Sequence, residues 1–167
     1  MSTRPPLLLA LPSYVAGHVA RIAQRPLRKR LAQAGLQLPH YAVLAALADF
    51  GPASQQDLAT RLELHKSHMV TFIDHLQNLD LVERAPAPGD RRSYRISITP
   101  AGAELVAEID AAAREAQRRA LAPLTADEQD QLIDLLGRVV DAHDRLRLDT
   151  SAPPEPPSRA SSPSDQP

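Results

Sequence analysis

Two hydrophobic rhythms share this chain, a helical one at both ends and a shorter, alternating one just past the middle. Val15, Val19, Ile22, Leu27 and Leu31 keep helical spacing between Ser13 and Ala34, with Ser13 as a capping hydroxyl and Gly35 as the stop. Pro26 interrupts that rhythm. Its ring removes a backbone hydrogen bond and crowds the Ile22 carbonyl, so a kink or break is expected there. A second helix opens at Pro39, turns Tyr41, Leu44, Leu47 and Ala48 inward, and stops at Gly51-Pro52. Ser54, with Asp57 three residues on, starts a third that carries Leu58, Ala59 and Leu62 on one face. Met69, Phe72, Ile73 and Leu76 then recur at the i, i+3, i+4, i+7 spacing of an amphipathic helix, which turns Lys66, Ser67, Val70, Thr71 and Asp74 outward.

The rhythm then shortens. Leu81 to Arg84 and the alternating Tyr94, Ile96 and Ile98 predict two short strands around a loop that contains Pro, Gly and the pair Arg91-Arg92. Helical spacing resumes at Thr99, which caps a helix from Pro100 through Leu105 and Ile109 to about Leu121. Thr125, with Glu128 in the capping-box position, opens a last helix through Leu132, Leu135, Leu136 and Val139 to near Arg147. From Ser151 the sequence turns to Pro and Ser with almost no apolar side chains, too few to offset the entropy of ordering, so residues 148–167 are expected to form a disordered tail.

The expected fold class is mainly α with a small β-wing. A winged helix-turn-helix lobe spans about 39–100, helical dimerisation regions span about 12–35 and 100–147, and residues 1–11 form an N-terminal arm. The apolar run Leu7–Leu11, bracketed by Pro5, Pro6 and Pro12, is too short for a signal segment or a membrane span, so a cytoplasmic location without membrane contact is expected. Long apolar stripes on the first and last helices exceed what a small winged lobe covers. A homodimer resolves this by burying one copy against the other.

Composition narrows the chemistry. The 167 residues include no Cys and no Trp and only 3% aromatics, so disulfides, thiolate metal sites and thiol redox sensing are excluded and the core is built from aliphatic side chains. A net charge of −1 does not by itself favour a polyanionic partner, but its distribution does. Arg21, Arg25, Arg28, Lys29 and Arg30 precede the helix-turn-helix, Arg84, Arg91, Arg92 and Arg95 surround the wing, and much of the acid follows it. In a helix-turn-helix the outward face of the second helix enters the major groove. The expected contacts of the helix-turn-helix to double-stranded DNA are Ser54, Gln55, Lys66, Ser67, His68, Val70, Thr71 and His75. With Lys66 as the one permanent cation of that helix, base readout rests on hydroxyls and on apolar contact with thymine methyls.

His65 and His68 share a helix face, but neither Cys nor a carboxylate triad completes a four-ligand shell, so no metal and no cofactor is expected. No nucleophile elbow, phosphate loop or metalloprotease motif is present, and the acidic residues do not pair across a cleft, which argues against an enzyme. The rival is a winged helix that binds protein rather than DNA.

The wing sequence Asp90-Arg91-Arg92-Ser93-Tyr94-Arg95-Ile96-Ser97-Ile98-Thr99-Pro100-Ala101-Gly102, with the helix order and the segment Leu58 to Leu81, resembles the MarR family of bacterial transcription regulators. That family's wing reads D-x-R, alternating apolar residues, then L-T-x-x-G; Asp90, Arg92, Ile96, Ile98, Thr99 and Gly102 fill it, with Ile98 in place of Leu. The resemblance covers roughly residues 12 to 147. It implies a homodimeric repressor, less often an activator, bound to a palindromic operator and released by a small molecule. It further implies that Arg92 reaches the minor groove or its phosphates while Asp90 holds it, and that Arg91 contacts phosphate. The sequence departs from many members at Glu63, where they carry Gly, at His65, where they carry a small polar or acidic cap, and at Thr71 and His75, where they carry Arg. In the family the effector pocket lies between the first helix, the second helix, the helix after the wing and the DNA-binding lobe. Tyr14, His18, Arg21, His40 and Tyr41 are the expected pocket residues, suited to a small aromatic or anionic effector.

Overall fold

Backbone and caps fix the order of elements before any packing is considered. The structure, a computed structural model, describes residues 4–87 and 90–151, with the side chains of 87, 90–93 and 147–151 excepted. Helices α1 (Pro6–Leu9), α2 (Pro12–Gln33) and α3 (Leu38–Phe50) lead into strand β1 (Ala53–Ser54), helices α4 (Gln55–Arg61) and α5 (Lys66–Asn78), strands β2 (Val82–Ala87) and β3 (Asp90–Ile98), and helices α6 (Pro100–Ala120) and α7 (Ala126–Ser151). The chain forms two compact units that divide between Ala122 and Pro123.

In the first unit, α2 packs on α6, while α3 touches α2, α5, α6 and β3. Leu31, Leu44, Leu47, Leu58, Met69, Ile73, Leu76, Ile96 and Ile109 are fully buried in one continuous core. Each such side chain contributes about 1.5–3 kcal/mol relative to exposure. The sheet is antiparallel in the order β1-β3-β2, with Val82 opposite Ile98, Arg84 opposite Ile96, and Ala53 opposite Ile96 on the other side.

Several caps follow the expected chemistry. Ser54 Oγ accepts the Asp57 amide at 3.1 Å and Asp57 Oδ2 accepts the Ser54 amide at 3.3 Å, closing a capping box at the start of α4. Thr99 Oγ1 accepts the Gly102 amide at 3.1 Å and donates to the Asp80 carbonyl at 2.7 Å, tying α6 to the end of α5. Gly102 is the third residue of α6 and has no room for a side chain: a Cβ there would lie 2.2 Å from the Leu81 carbonyl oxygen and 2.8 Å from Ile98 Cγ1. Glu63 and Asp80 adopt left-handed backbone, each with φ 55°. A glycine would hold the Glu63 conformation at lower cost.

The structure corrects the sequence reading at four places. Helix α2 begins at Pro12 with Leu11 as its cap, so Ser13 lies inside the first turn and is not the capping residue. Pro26 does not break α2, which runs on to Gln33. Ile22 and Pro26 are both exposed, so the carbonyl that loses its partner lies on the solvent side. In α3, Ala48 is exposed, while Val43, Ala46 and His40 are buried with Leu44 and Leu47, because this helix is packed from several sides rather than one. The two-residue β1 is the last difference, since so short a strand carries no alternation to read.

In the second unit α7 starts from the expected box: the Thr125 amide donates to Glu128 Oε2 at 2.8 Å and Thr125 Oγ1 accepts the Glu128 amide at 3.3 Å. The helix continues to Ser151, four residues past Arg147, and leaves Ile133, Leu135, Leu136, Val139 and Val140 exposed. The remaining tail, residues 152–167, lies outside the described residues. No described helix is long and apolar enough to cross a membrane.

Candidate nucleic-acid interface

Helix α5 presents a polar face because its other face anchors the core. Met69, Ile73 and Leu76 are fully buried, Phe72 is half-buried, and Lys66, Ser67, His68, Val70, Thr71 and Asp74 are exposed, as the spacing predicts. His65 caps the helix without a side-chain bond to its amides. Its Nδ1 instead lies 3.2 Å from Ser67 Oγ. Thr71 Oγ1 donates to the Ser67 carbonyl at 3.4 Å, a local bond in which the hydroxyl can still accept. The free N–H groups at an uncapped N-terminus suit an anion.

A groove of about 650 Å³ runs between α5 and the sheet, lined by Ser54, Gln55, Val70, Asp74, Gln77, Arg84 and Tyr94. Arg84 crosses it to pair with Asp74, joining β2 to α5. Among the described residues the buried Arg84 Nε has no hydrogen-bond partner. Arg95 donates to the Pro52 carbonyl and pins β3 to the corner after α3. Thus two of the four arginines around the wing, Arg84 and Arg95, hold the lobe together. Neither role was legible from the charge cluster alone, because the partners lie 10 and 43 residues away. The side chains of Asp90, Arg91 and Arg92, the expected wing contacts, lie outside the described residues; their backbone belongs to β3.

Two of the expected contacts also bond within the protein. The Ser54 hydroxyl is engaged with Asp57, to which it donates at 2.7 Å, and that bond foremost lowers the Asp57 carboxyl below its ordinary range. Ser54 therefore positions α4, while Gln55 beside it is half-buried on the groove. His75 is half-buried, and its Nε2 lies 2.9 Å from the Gly35 carbonyl, so that nitrogen donates into the protein rather than outward.

The expected effector residues fall in three places. Tyr14, His18 and Arg21 share the outer part of α2: the Tyr14 and His18 rings lie 4.7 Å apart and Arg21 Nη2 donates to His18 Nδ1 at 2.6 Å. Desolvation, then the charges of Arg21 and Arg4, lower the His18 pKa. Tyr41 sits on α3 near Asp110 and Arg114 of α6; burial, followed by Asp110, raises its phenol. His40 is in the core, 7% exposed, where its Nδ1 accepts the Gln37 amide at 3.0 Å and completes the α3 capping box. It is a buried residue that caps its own helix. A separate cleft of about 300 Å³ between α2 and α6 has an apolar floor of Ile22, Pro26, Ala112 and Ala116, with the Arg119–Glu115 pair at its edge. Among the described residues no three His or carboxylate groups converge on a metal-sized site.

Residues 34–93, from the end of α2 into the wing, match the model of the MarR family. A solved structure from Pseudomonas aeruginosa, described as a probable transcriptional regulator, is 32% identical, superposes with a TM-score of 0.61, and is covered over 96% of its length by 74% of this chain. The chain belongs to the MarR family. The transcriptional repressor NicR of Pseudomonas putida is 29% identical over 102 residues, 61% of this chain and 65% of that protein, so the MarR-type chain described here spans just under two thirds of the repressor's length. The PcaV transcriptional regulator of Streptomyces coelicolor, solved with its natural ligand, is 26% identical with a TM-score of 0.67, covering 86% of this chain and 99% of that one. These relatives are named as regulators of transcription, not as enzymes. The mainly helical fold with its three-stranded antiparallel wing is that of the family.

Proposed function

We propose that this MarR-family protein is a sequence-specific, DNA-binding transcription regulator that acts in the cytoplasm as a homodimer on a palindromic operator. The observation that carries the reading is the exposed face of α5, with Lys66, Ser67, Val70 and Thr71 standing clear beside the groove while Met69, Ile73 and Leu76 lock the opposite face into the core. Lys66 and the free amides of the first turn meet phosphate, Val70 and Thr71 meet base edges in the major groove, and Arg91 and Arg92, oriented by Asp90, reach phosphate and the minor groove. Selection of bound sequences from random duplex DNA, with the full chain, should return an inverted repeat with half-sites about one helical turn apart. Recovery of no preferred sequence, alongside a well-folded protein, would favour the rival role in protein binding.

Dimerisation is supported by apolar surface that one copy leaves open: Leu7 is 85% exposed, and Ile133, Val139 and Val140 on α7 are each more than half exposed. A dyad then relates two α5 helices, as a palindrome requires. We propose further that the protein represses, as NicR is named to do, and that a small anionic or aromatic ligand releases it. The Tyr14–His18–Arg21 face of α2 is the proposed ligand contact, with Arg21 for the carboxylate and the Tyr14 ring for the aromatic body. Such a ligand must bind the DNA-incompetent spacing of the two α5 helices more tightly than the competent one. A screen of aromatic acids for release of a bound duplex, repeated with Arg21→Ala, tests this: release should vanish in the variant while duplex affinity holds.

A further inference from the structure

Three rings meet where α2 ends, α3 begins and α5 passes. His40 of α3 stacks on His75 of α5 with ring centres 4.7 Å apart and meets the edge of Phe72 at 5.0 Å. Their protonation follows from their partners. A carbonyl only accepts, so His75 carries a proton on Nε2 toward Gly35. A backbone amide only donates, so His40 Nδ1 is bare toward Gln37, and the neutral ring keeps its proton on Nε2.

We infer that His75 is a positioning residue rather than a base reader: together with His40 it clamps the recognition helix α5 to the α2–α3 corner while the His40 ring is neutral, and acid opens the clamp. The inference rests on the DNA-binding reading above. Protonating His40 sets an N–H on Nδ1 against the N–H of Gln37, two donors facing one another, so the α3 capping box is lost. Charge on the stacked His75 ring opposes charge on His40.

Among the described residues, the following groups face the pair. From α5 they are His75, Phe72 and, on the far side of Phe72 at 6.2 Å, His68; from the corner they are the Gly35 carbonyl and the Gln37 amide. The charge that acts on His40 is that of His75, and burial and then this charge hold the His40 pKa below its ordinary 6.5. The folded pKa is thus depressed for a basic group. The clamp is intact above about pH 6.5, the unfolded value, and its contribution falls away as pH drops below it. An opposing effect makes the sign informative. Acid adds positive charge to a protein surface in general, and positive charge adds attraction to phosphate. A surface without a titrating clamp binds duplex more tightly in acid, whereas this one should bind less tightly.

The test uses the full chain, His75→Gln and His40→Gln, with a duplex that the wild type selects from a random pool, at fixed salt and at pH 7.5 and about 5.5. In His75→Gln the new carboxamide retains a donor for Gly35 without a titrating group. Wild type should bind the duplex more weakly at pH 5.5 than at pH 7.5. His40→Gln, which removes the group that opens the corner, should change by less than about threefold or tighten; His75→Gln keeps the base preference of the wild type and, because the burial of His40 remains, should lessen the acid response without abolishing it. Thermal unfolding across the same pH range reads the clamp without DNA, and its pH dependence should be blunted in both variants. The inference is overturned if the variants keep the wild-type pH profile, if wild type does not weaken in acid, or if His75→Gln loses preference at one base pair. A wild type that folds with the expected pH dependence but prefers no duplex contradicts the DNA-binding reading and leaves the clamp standing.

Discussion

Replacing Gly102 with Ala should unfold this lobe more readily than any comparable change of a single hydrogen to a methyl group. The added Cβ meets the Leu81 carbonyl oxygen at 2.2 Å, about 1.2 Å inside ordinary contact at 3.4 Å, and the obstacle is backbone, not the end of a flexible side chain. Relief requires α6 to shift away from the end of α5, and two bonds oppose the shift: the Thr99 amide donates to that same carbonyl at 3.1 Å, and Thr99 Oγ1 holds Asp80. Overpacking of this kind costs about 1–3 kcal/mol, and each strained bond about 1 kcal/mol more. The better helix propensity of Ala offsets about 1 kcal/mol. The net loss is about 2–4 kcal/mol, which lowers the melting temperature by roughly 5–15 °C for a chain of this size. Urea titration of the full chain reads the difference directly. Gly17→Ala is the matched control, since nothing lies within 4 Å of a Cβ there, and it should stabilise by about 0.5–1 kcal/mol. If Gly102→Ala proves neutral or stabilising, as the control should be, the close approach of α6 to Leu81 is wrong.

Ser54→Ala removes the bond that most lowers the Asp57 carboxyl, so the Asp57 pKa should rise toward the ordinary carboxylate range, which a carbon-detected NMR titration follows. Because that pKa is depressed in the folded state, its contribution to stability is present above the unfolded value and is lost as pH falls, and the variant should show a shallower loss in acid. Arg92→Ala should weaken binding to all duplexes and reduce the salt slope by about one unit, whereas Thr71→Ala should cost about 1–3 kcal/mol on the selected site and little on a scrambled one. Equal losses on both duplexes would remove Thr71 from the base-reading set. Sedimentation at micromolar concentration should give twice the chain mass, and Val139→Glu should shift the chain toward a monomer; a stable monomeric wild type contradicts the proposed dimer.

The winged helix was legible because its signals are local. The α5 stripe of Met69, Phe72, Ile73 and Leu76, the caps at Ser54, Thr99 and Thr125, and the alternation of Tyr94, Ile96 and Ile98 each depend on neighbours a few residues away. Where a distant partner decides the role, the same reasoning failed. Arg84 and Arg95 read as wing charge until Asp74 and Pro52 are seen to hold them. The stacking of His40 on His75, 35 positions apart, likewise leaves no trace in the sequence. Pro26 carries a strong local signal, yet an exposed site lets the helix pass through it. The departure at Glu63 was visible in the sequence, but its meaning, a left-handed residue held without glycine, needed the backbone angle.

The central claim is that the exposed face of α5 reads base sequence. Its most direct measurement is the ratio of dissociation constants for the selected duplex and a scrambled one of equal length, taken at one physiological salt concentration. Specific recognition predicts a ratio of about 10³ or more. A ratio near one, with salt-dependent binding to both, would mean that the cations of the lobe meet phosphate alone and that α5 does not read sequence.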